Sequence, residues 1–454
     1  MIKDAVVKEP LTPLPASKGH WLLGNIPSMQ KNILTHFYDT EKKLGTTFEN
    51  PIPLGRLIAT SEPDFMRYVL QINHRNYKKG KSYEVLKLLL GNGLVTSNGD
   101  FWQKQRRLAQ PAFYKKNLES LFEVMGETAA IYFKGLDKKT GTTIDIAREM
   151  MAVTAKIALK SLFSNNTEED LDVVYESMTE AQRYVSDRLN NPFTTFWYKL
   201  NGRNRRFNKD IDVLEEVVMK AITDRRESNE KYPDLLQMMM DATYEGSNEQ
   251  MDNQQLKDEM VTIFSAGHET SANGLTWLLY LLTQHPDIIN KLRAEIATTV
   301  GNRLPGFHEL RQLTYVRQVI DESMRLYPPV WGISRTAIEA DEFRGVEIKP
   351  NDIVFCMIYN AHHREDLFEN AKSFNPDRFA PEKAKKMTKM SYLPFGGGPR
   401  LCIGNMFALM EMQLILTGLL QRYDFELVEN QVIDMEPLVT LRPRYGMKMR
   451  LKGR

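Results

Sequence analysis

Along most of this chain apolar positions recur with the spacing of amphipathic helices, and short turn signals separate them. A few stretches break that rhythm. Residues 45–64, GTTFENPIPLGRLIATSEPD, set short β-prone runs between turn residues, and residues 333–358 and 433–453 read the same way. The pattern predicts a mainly α protein with small β-sheets. Residues 255–283, QLKDEMVTIFSAGHETSANGLTWLLYLLT, predict a long helix. It would span about 45 Å if about 30 residues form it. Much of its surface is apolar, so it is expected to cross the core. Residues 371–401 read as irregular, with Pro376, Pro381, Pro394, Pro399 and the run Gly396-Gly397-Gly398. Helix is expected to resume at Ile403 and run through FALMEMQLILTGLLQRY. A long loop before a helix in a compact domain usually serves function. No internal repeat and no stretch of linker composition interrupts the chain. The expected organisation is an extended, proline-punctuated arm over 1–17 and a single domain over 18–454.

Composition narrows the function classes. The 454 residues are 42% hydrophobic and 26% charged, which excludes a disordered, collagen-like or fibrous chain. Lys and Arg (60) nearly balance Asp and Glu (58), for a net charge of +2. Overall basicity therefore gives no basis for binding nucleic acid. Two cysteines, Cys356 and Cys402, cannot build a disulfide framework or a four-thiolate zinc site. Their number fits a reducing cytosol, so a cytoplasmic location is expected. No run of 18 apolar residues is present, and the first residues lack the apolar stretch of a signal peptide. No transmembrane anchor is expected.

The segment Phe395-Gly396-Gly397-Gly398-Pro399-Arg400-Leu401-Cys402-Ile403-Gly404 carries the first candidate chemistry. Cys402 precedes a helix start, where backbone N–H groups and the helix dipole favour an anion such as a thiolate. Glycines on both sides let the backbone approach a flat partner closely. Arg400 adds positive charge. These features suit a thiolate ligand to one face of a haem iron. Read alone, they also suit an inert cysteine in a glycine turn. In the middle of the long helix lies Ala266-Gly267-His268-Glu269-Thr270. Gly267 costs about 1 kcal/mol relative to Ala in a helix interior. Small residues there admit something bulky, while Glu269 and Thr270 are polar where the pattern asks for core. Thr270 alone fits equally a threonine bonded back to a carbonyl. His268 reads as a structural residue turned away from any site. Glu322 and Arg325, three apart, share one helix face. Alone, that spacing also suits an ordinary surface ion pair.

Taken together and in this order, the segments resemble the cytochrome P-450 monooxygenases, and most closely their soluble bacterial fatty-acid hydroxylases. The cysteine segment matches the haem-ligand signature F-x-x-G-x-R-x-C-x-G through Phe395, Gly398, Arg400, Cys402 and Gly404. Ala266–Thr270 resembles the oxygen-activation motif A/G-G-x-D/E-T. Glu322 and Arg325 match E-x-x-R, and Pro376-Asp377-Arg378-Phe379 resembles P-E/D-R-F. Trp102 and Arg106 match W-x-x-x-R. The resemblance spans nearly the whole chain. It implies the P-450 fold, with haem between the long helix and the cysteine loop.

The resemblance also implies roles. Cys402 would ligate the iron of haem b. Trp102, Arg106 and Arg335 would meet the propionates, which need cations or donors. Glu269 and Thr270 would handle dioxygen and its protons through a gated relay. Glu322, Arg325 and Arg378 would form a buried triad that supports the ligand loop. Val95 stands in a loop where many fatty-acid hydroxylases carry an aromatic, leaving more room over the iron. Val330, Trp331, Ile333, Leu438 and Val439 match substrate-contact stretches, and Ala266 would complete the ceiling. The apolar lining implies a small apolar substrate, a fatty acid first and a terpenoid next. Arg56 resembles an entrance arginine that can hold a carboxylate, although Thr60 replaces its usual tyrosine partner. Residues 192–198, aromatic and followed by Arg203, Arg205 and Arg206, suit an access lid, a membrane contact or a buried aromatic cluster.

No fused reductase is read in the sequence. Electrons from NAD(P)H would therefore arrive through a partner, an acidic ferredoxin or flavodoxin with its reductase. Lys104, Arg106, Arg107, Lys115 and Lys116 offer it a cationic surface. Two other readings remain: a hydrogen-peroxide-driven peroxygenase, which commonly lacks the acid–alcohol pair, and a non-catalytic haem sensor or carrier.

Overall fold

The structure is a computed structural model that describes residues 11–53, 55–164, 168–190, 198, 200–228, 230–244 and 246–454. Contacts divide the chain into two compact units, each assembled from separated segments. The chain passes between them several times, which is why no single linker could mark a boundary.

The first unit comprises residues 1–81, 330–372 and 387–402. Its centre is a five-stranded sheet in the order Thr47–Ile52, Gly55–Thr60, Ile353–Cys356, Ile333–Ala337, Tyr77–Lys78. The first two strands form a hairpin with Thr47 opposite Thr60. Gly55–Thr60 then pairs in parallel with Ile353–Cys356, and the remaining pairings are antiparallel. One apolar cluster packs Ile58, Val354 and Cys356 against Phe65, Met66 and Val69. Another gathers Phe37, Phe48, Leu57 and Met357. The described part of the N-terminal arm runs as backbone beside Glu49, with Ser17 N–H donating to its carbonyl (2.9 Å) and Glu49 N–H donating to Pro15 (2.9 Å). Residues 1–10 of that arm lie outside the described residues.

The second unit comprises residues 82–329, 373–386 and 403–454 and is mainly helical. Its longest helix is Asn253–Thr283, 31 residues, with nearly every position from Ser271 to Leu282 buried. The Asp252 carboxylate caps it by accepting from Gln255 N–H (2.7 Å). The helix after the cysteine loop begins at Asn405 rather than Ile403, because Gly404 holds the cap position, and ends at Arg422. Among the described residues two small sheets complete this unit. Lys448–Gly453 runs antiparallel to both Thr143–Asp145 and Tyr423–Leu427, and Met435–Pro437 pairs with Leu441–Pro443. Small sheets were expected near 433–453. Thr143–Asp145 and Tyr423–Leu427 lie outside that region: three residues carry almost no periodic signal, and the second strand begins at Tyr423, where helix was expected to run on. Among the described residues no helix is long and apolar enough to cross a membrane.

Candidate active site

In the first unit the two cysteines have opposite settings. Cys356 is fully buried in a central strand. Burial pushes its thiol up to about 12, only partly opposed by Arg335. At neutral pH it is an inert, protonated core residue. Cys402 is exposed at the end of the glycine loop. Its N–H donates to Phe395 carbonyl (3.0 Å), closing the loop on itself, and Leu401 N–H donates to Gly398 carbonyl (3.0 Å). Gly398 has φ +66°, and a Cβ there would overlap the Leu70 carbonyl. Only glycine satisfies both demands. His362 anchors the start of the segment, its Nε2 accepting from Leu393 N–H (2.9 Å).

The same unit holds several other candidates. Arg335 is buried in Ile333–Ala337 and donates to Ser334 carbonyl (2.8 Å). Ile333 lies against the position that a Gly396 side chain would take. The half-buried Trp331 meets Phe355 edge-on, with ring centroids 5.7 Å apart. Arg56 donates to Glu49 (2.8 Å), Asp352 (3.0 Å) and the Glu347 carbonyl (2.7 Å). Its charge is thus matched by two carboxylates of its own unit, which argues against an anchor for a third. Asp352 is almost 300 residues away, so this commitment left no mark in the local sequence.

In the second unit the long helix carries the acid–alcohol pair. Thr270 Oγ1 donates to Ala266 carbonyl (2.8 Å), the back-bonded state open to it in any helix. Glu269 accepts from Thr440 Oγ1 (2.6 Å), which in turn accepts from Asn273 Nδ2 (3.0 Å). This chain fastens the turn at 438–440, with Leu438 half-buried and Val439 exposed, to the helix beside Glu269 and Thr270. Thr440 and Asn273 were missed from sequence. His268 is buried, donates through Nδ1 to Phe264 carbonyl (2.7 Å) and stacks on the Phe264 ring (4.5 Å). Desolvation holds its pKa below the usual value. It carries no charge at neutral pH and belongs to the core.

Glu322 and Arg325 lie fully buried on Thr314–Leu326. They pair through two bonds, Nε to Oε2 and Nη2 to Oε1, each 2.7 Å. Arg378 adds a third donor to Glu322 (3.2 Å), and Asn375 N–H a fourth (2.9 Å). The arginines also hold Ser373, Arg325 through its carbonyl (3.1 Å) and Arg378 through its hydroxyl (3.0 Å). The network therefore staples the segment 373–378 to the helix.

The sequence profile described as Cytochrome P450 matches residues 13–449. The chain belongs to the cytochrome P450 family. Cyclooctatin synthase of Streptomyces melanosporofaciens is 32% identical over 388 residues, covering 84% of this P450 and 83% of that protein. Carotene epsilon-monooxygenase, chloroplastic, of Arabidopsis thaliana is 29% identical over 424 residues, covering 87% and 78%. The solved heme domain of cytochrome P450DA shares the fold, with a TM-score of 0.90 at 24% identity over 98% of both chains. The activity class of this P450 is monooxygenation.

The residues of this P450 fit a haem. The donor set offers one exposed cysteine in a close-packed glycine loop and no other cysteine able to ionise. On the long helix, a Cβ built on Gly267 would meet nothing within 4 Å among the described residues, so this stretch leaves room for a flat, bulky group. On Gly99–Ala109, Trp102 is buried and the half-buried Arg106 donates Nε to Gln110 (2.9 Å). Lys104, Arg107, Lys115 and Lys116 are exposed, whereas Arg106 is not fully so, which separates a solvated cationic face from a partly inward arginine. Most of the aromatic stretch 192–198 lies outside the described residues.

Proposed function

We propose that this P450 inserts one oxygen atom of O2 into a C–H bond of an apolar, isoprenoid-type substrate, with Cys402 as the haem ligand. The observation that carries the assignment is the contrast between an exposed Cys402 in its glycine loop and a core-locked Cys356. Bound haem b would supply the oxygen-activating chemistry. Cys402 would hold the group, while Trp102, Arg106 and Arg335 would receive its carboxylates. Thr270, whose hydroxyl donates to the Ala266 carbonyl, would hold and pass on a proton at its Oγ1. Glu269, held by Thr440, would resupply Thr270 from solvent. Val95, Ala266, Val330, Trp331, Ile333, Leu438 and Val439 would line an apolar space that orients the substrate and excludes water. Electrons would arrive from an acidic ferredoxin or flavodoxin on the cationic face of Lys104, Arg107, Lys115 and Lys116.

An isoprenoid is favoured over a fatty acid for two reasons. Relatives are named for action on cyclooctat-9-en-7-ol and on carotene. Arg56, the candidate carboxylate anchor, is already paired with Glu49 and Asp352. The test is an absorption spectrum of the reduced protein with carbon monoxide, for wild type and Cys402→Ala, followed by titration with terpenoids and fatty acids. Wild type should show the red-shifted band of thiolate-ligated haem, the variant should lose it, and only terpenoids should perturb the ferric spectrum. An imidazole-type spectrum in wild type would overturn the ligand assignment. A fatty-acid response lost in Arg56→Ala would overturn the substrate class.

A further inference from the structure

The loop that carries Val95 is gripped by the first turns of the long helix. Asp258 accepts from Asn92 N–H (2.7 Å) and Glu259 accepts from Leu94 N–H (3.0 Å). Both carboxylates are buried, Glu259 completely. Each is steadied from one turn earlier: Gln254 Nε2 donates to Asp258 (3.0 Å) and Gln255 Nε2 to Glu259 (2.8 Å). Lys257 lies 3.5 Å from Asp258 and also pairs with Glu215. One turn further on, Thr262 Oγ1 donates to Leu90 carbonyl (3.2 Å). The loop is built to be held this closely. A Cβ on Gly91 would overlap the Asp258 carboxylate, one on Gly93 would overlap the Thr262 hydroxyl, and Gly91 has φ +54°. Thr96 Oγ1 ties the loop across its base by donating to Gly91 carbonyl (2.7 Å).

Burying two adjacent carboxylates is costly, and apolar side chains would serve a purely packing role with less penalty. What they provide is direction: each fixes one backbone N–H of the loop at a set height on the helix. Residues 258/259, 262, 266 and 269/270 follow one another at helical spacing and share a face. Glu259 and Ala266 are seven residues apart, about 10 Å along the axis. The face that grips the loop is therefore the face that leads to Ala266 and Thr270.

We propose that Asp258 and Glu259 are positioning residues that hold the 91–97 loop at a preset height, so that the side chain at 95 sets the size of molecule admitted. This rests on the placement of Val95 in the substrate space. The loop is then a fixed ceiling rather than a lid that adjusts to each ligand.

The test uses the haem-loaded protein and two readouts. Amide hydrogen exchange over 91–97 reports the grip. The ratio of dissociation constants for imidazole and 1-phenylimidazole, read from the haem absorption band, reports the ceiling. In Glu259→Ala and Asp258→Ala, exchange should rise about tenfold or more, the size expected when a charge-assisted hydrogen bond is lost, and the ratio should move about threefold or more. Glu259→Gln, which keeps an acceptor, should return both toward wild type. Val95→Phe should move the ratio and leave exchange unchanged. If either alanine variant fails to fold, Thr262→Val loosens the same loop and is read in the same way. Unchanged exchange overturns the grip. Faster exchange with an unchanged ratio overturns its role in admission. If Val95→Phe also leaves the ratio unchanged, the placement of Val95 has failed, while the carbon monoxide spectrum tests the haem-thiolate assignment separately.

Discussion

Two carboxylates of the helical unit, Glu322 and Glu269, sit in opposite circumstances. Glu322 is fully buried and receives donors from Arg325, Arg378 and Asn375. Its lone pairs are committed and its partners are themselves fixed to residues 373–378. Glu269 is only part-buried and accepts from the neutral Thr440 hydroxyl. It retains oxygen capacity and access to solvent. Glu322 has neither, being buried with its oxygens taken by Arg325, Arg378 and Asn375. The difference separates a carboxylate enclosed by its partners from one that still faces solvent, as the proton role proposed for it requires, although both stand on helices in the same unit.

Removing Glu322 should give the largest effect. Glu322→Ala strands Arg325 and Arg378 in a site without their counter-ion, at a cost of about 3–5 kcal/mol. The denaturation midpoint of the variant should fall accordingly, and haem retention with it. A loss below about 1 kcal/mol, the range of a surface pair, would erase the distinction drawn here.

Glu411 sharpens the comparison, because among the described residues no cation pairs with its carboxyl. It lies fully buried on Asn405–Arg422, and burial pushes it from 4.5 up to about 8, with Ser271 opposing. Between those values the folded chain keeps a proton that the unfolded chain has released. The folded state then binds more protons, so stability falls as pH rises through that window. Below about 4.5 both states are protonated and the penalty vanishes. Glu411→Gln should flatten the decline of the urea midpoint between pH 5 and 8 and change little at the acid end. Parallel curves for wild type and variant would show that Glu411 is ionised and compensated in the fold.

Much of this was legible because it was local. The length and apolar surface of 255–283 announced a long helix, and a spacing of three placed Glu322 beside Arg325 on one face. The prolines and glycines of 371–401 announced a loop. What the sequence could not show are contacts whose partners lie far apart. Thr440 reaches Glu269 across 171 positions, and Arg56 reaches Asp352 across 296. The grip of Asp258 and Glu259 on 91–97 likewise joins two segments whose local patterns read as ordinary helix and ordinary turn. A carboxylate on an amphipathic helix looks the same in sequence whether it faces water, a backbone N–H or an arginine. Only its surroundings decide.

The smallest expected effect falls on Thr440, whose hydroxyl donates to Glu269 and accepts from Asn273. Thr440→Val keeps the shape and removes both the donor to Glu269 and the acceptor for Asn273. A typical hydrogen bond contributes about 1 kcal/mol net, so losing the one that orients Glu269 should lower the oxygenation rate about fivefold. Glu269→Gln, which removes the transferable proton itself, should cost at least tenfold more, in the range of about 10²-fold for a positioned general acid. The two changes should also combine non-additively: once Glu269 is Gln, losing Thr440 should change little, because its effect passes through that side chain. The readout is the rate of product formation at saturating reductant and substrate, measured for both single variants and the double variant. If Thr440→Val lowers the rate by the same factor with Gln at 269 as with Glu, then Thr440 acts on the 438–440 turn and the substrate it borders. Glu269 would then keep its place in the comparison on its exposure alone.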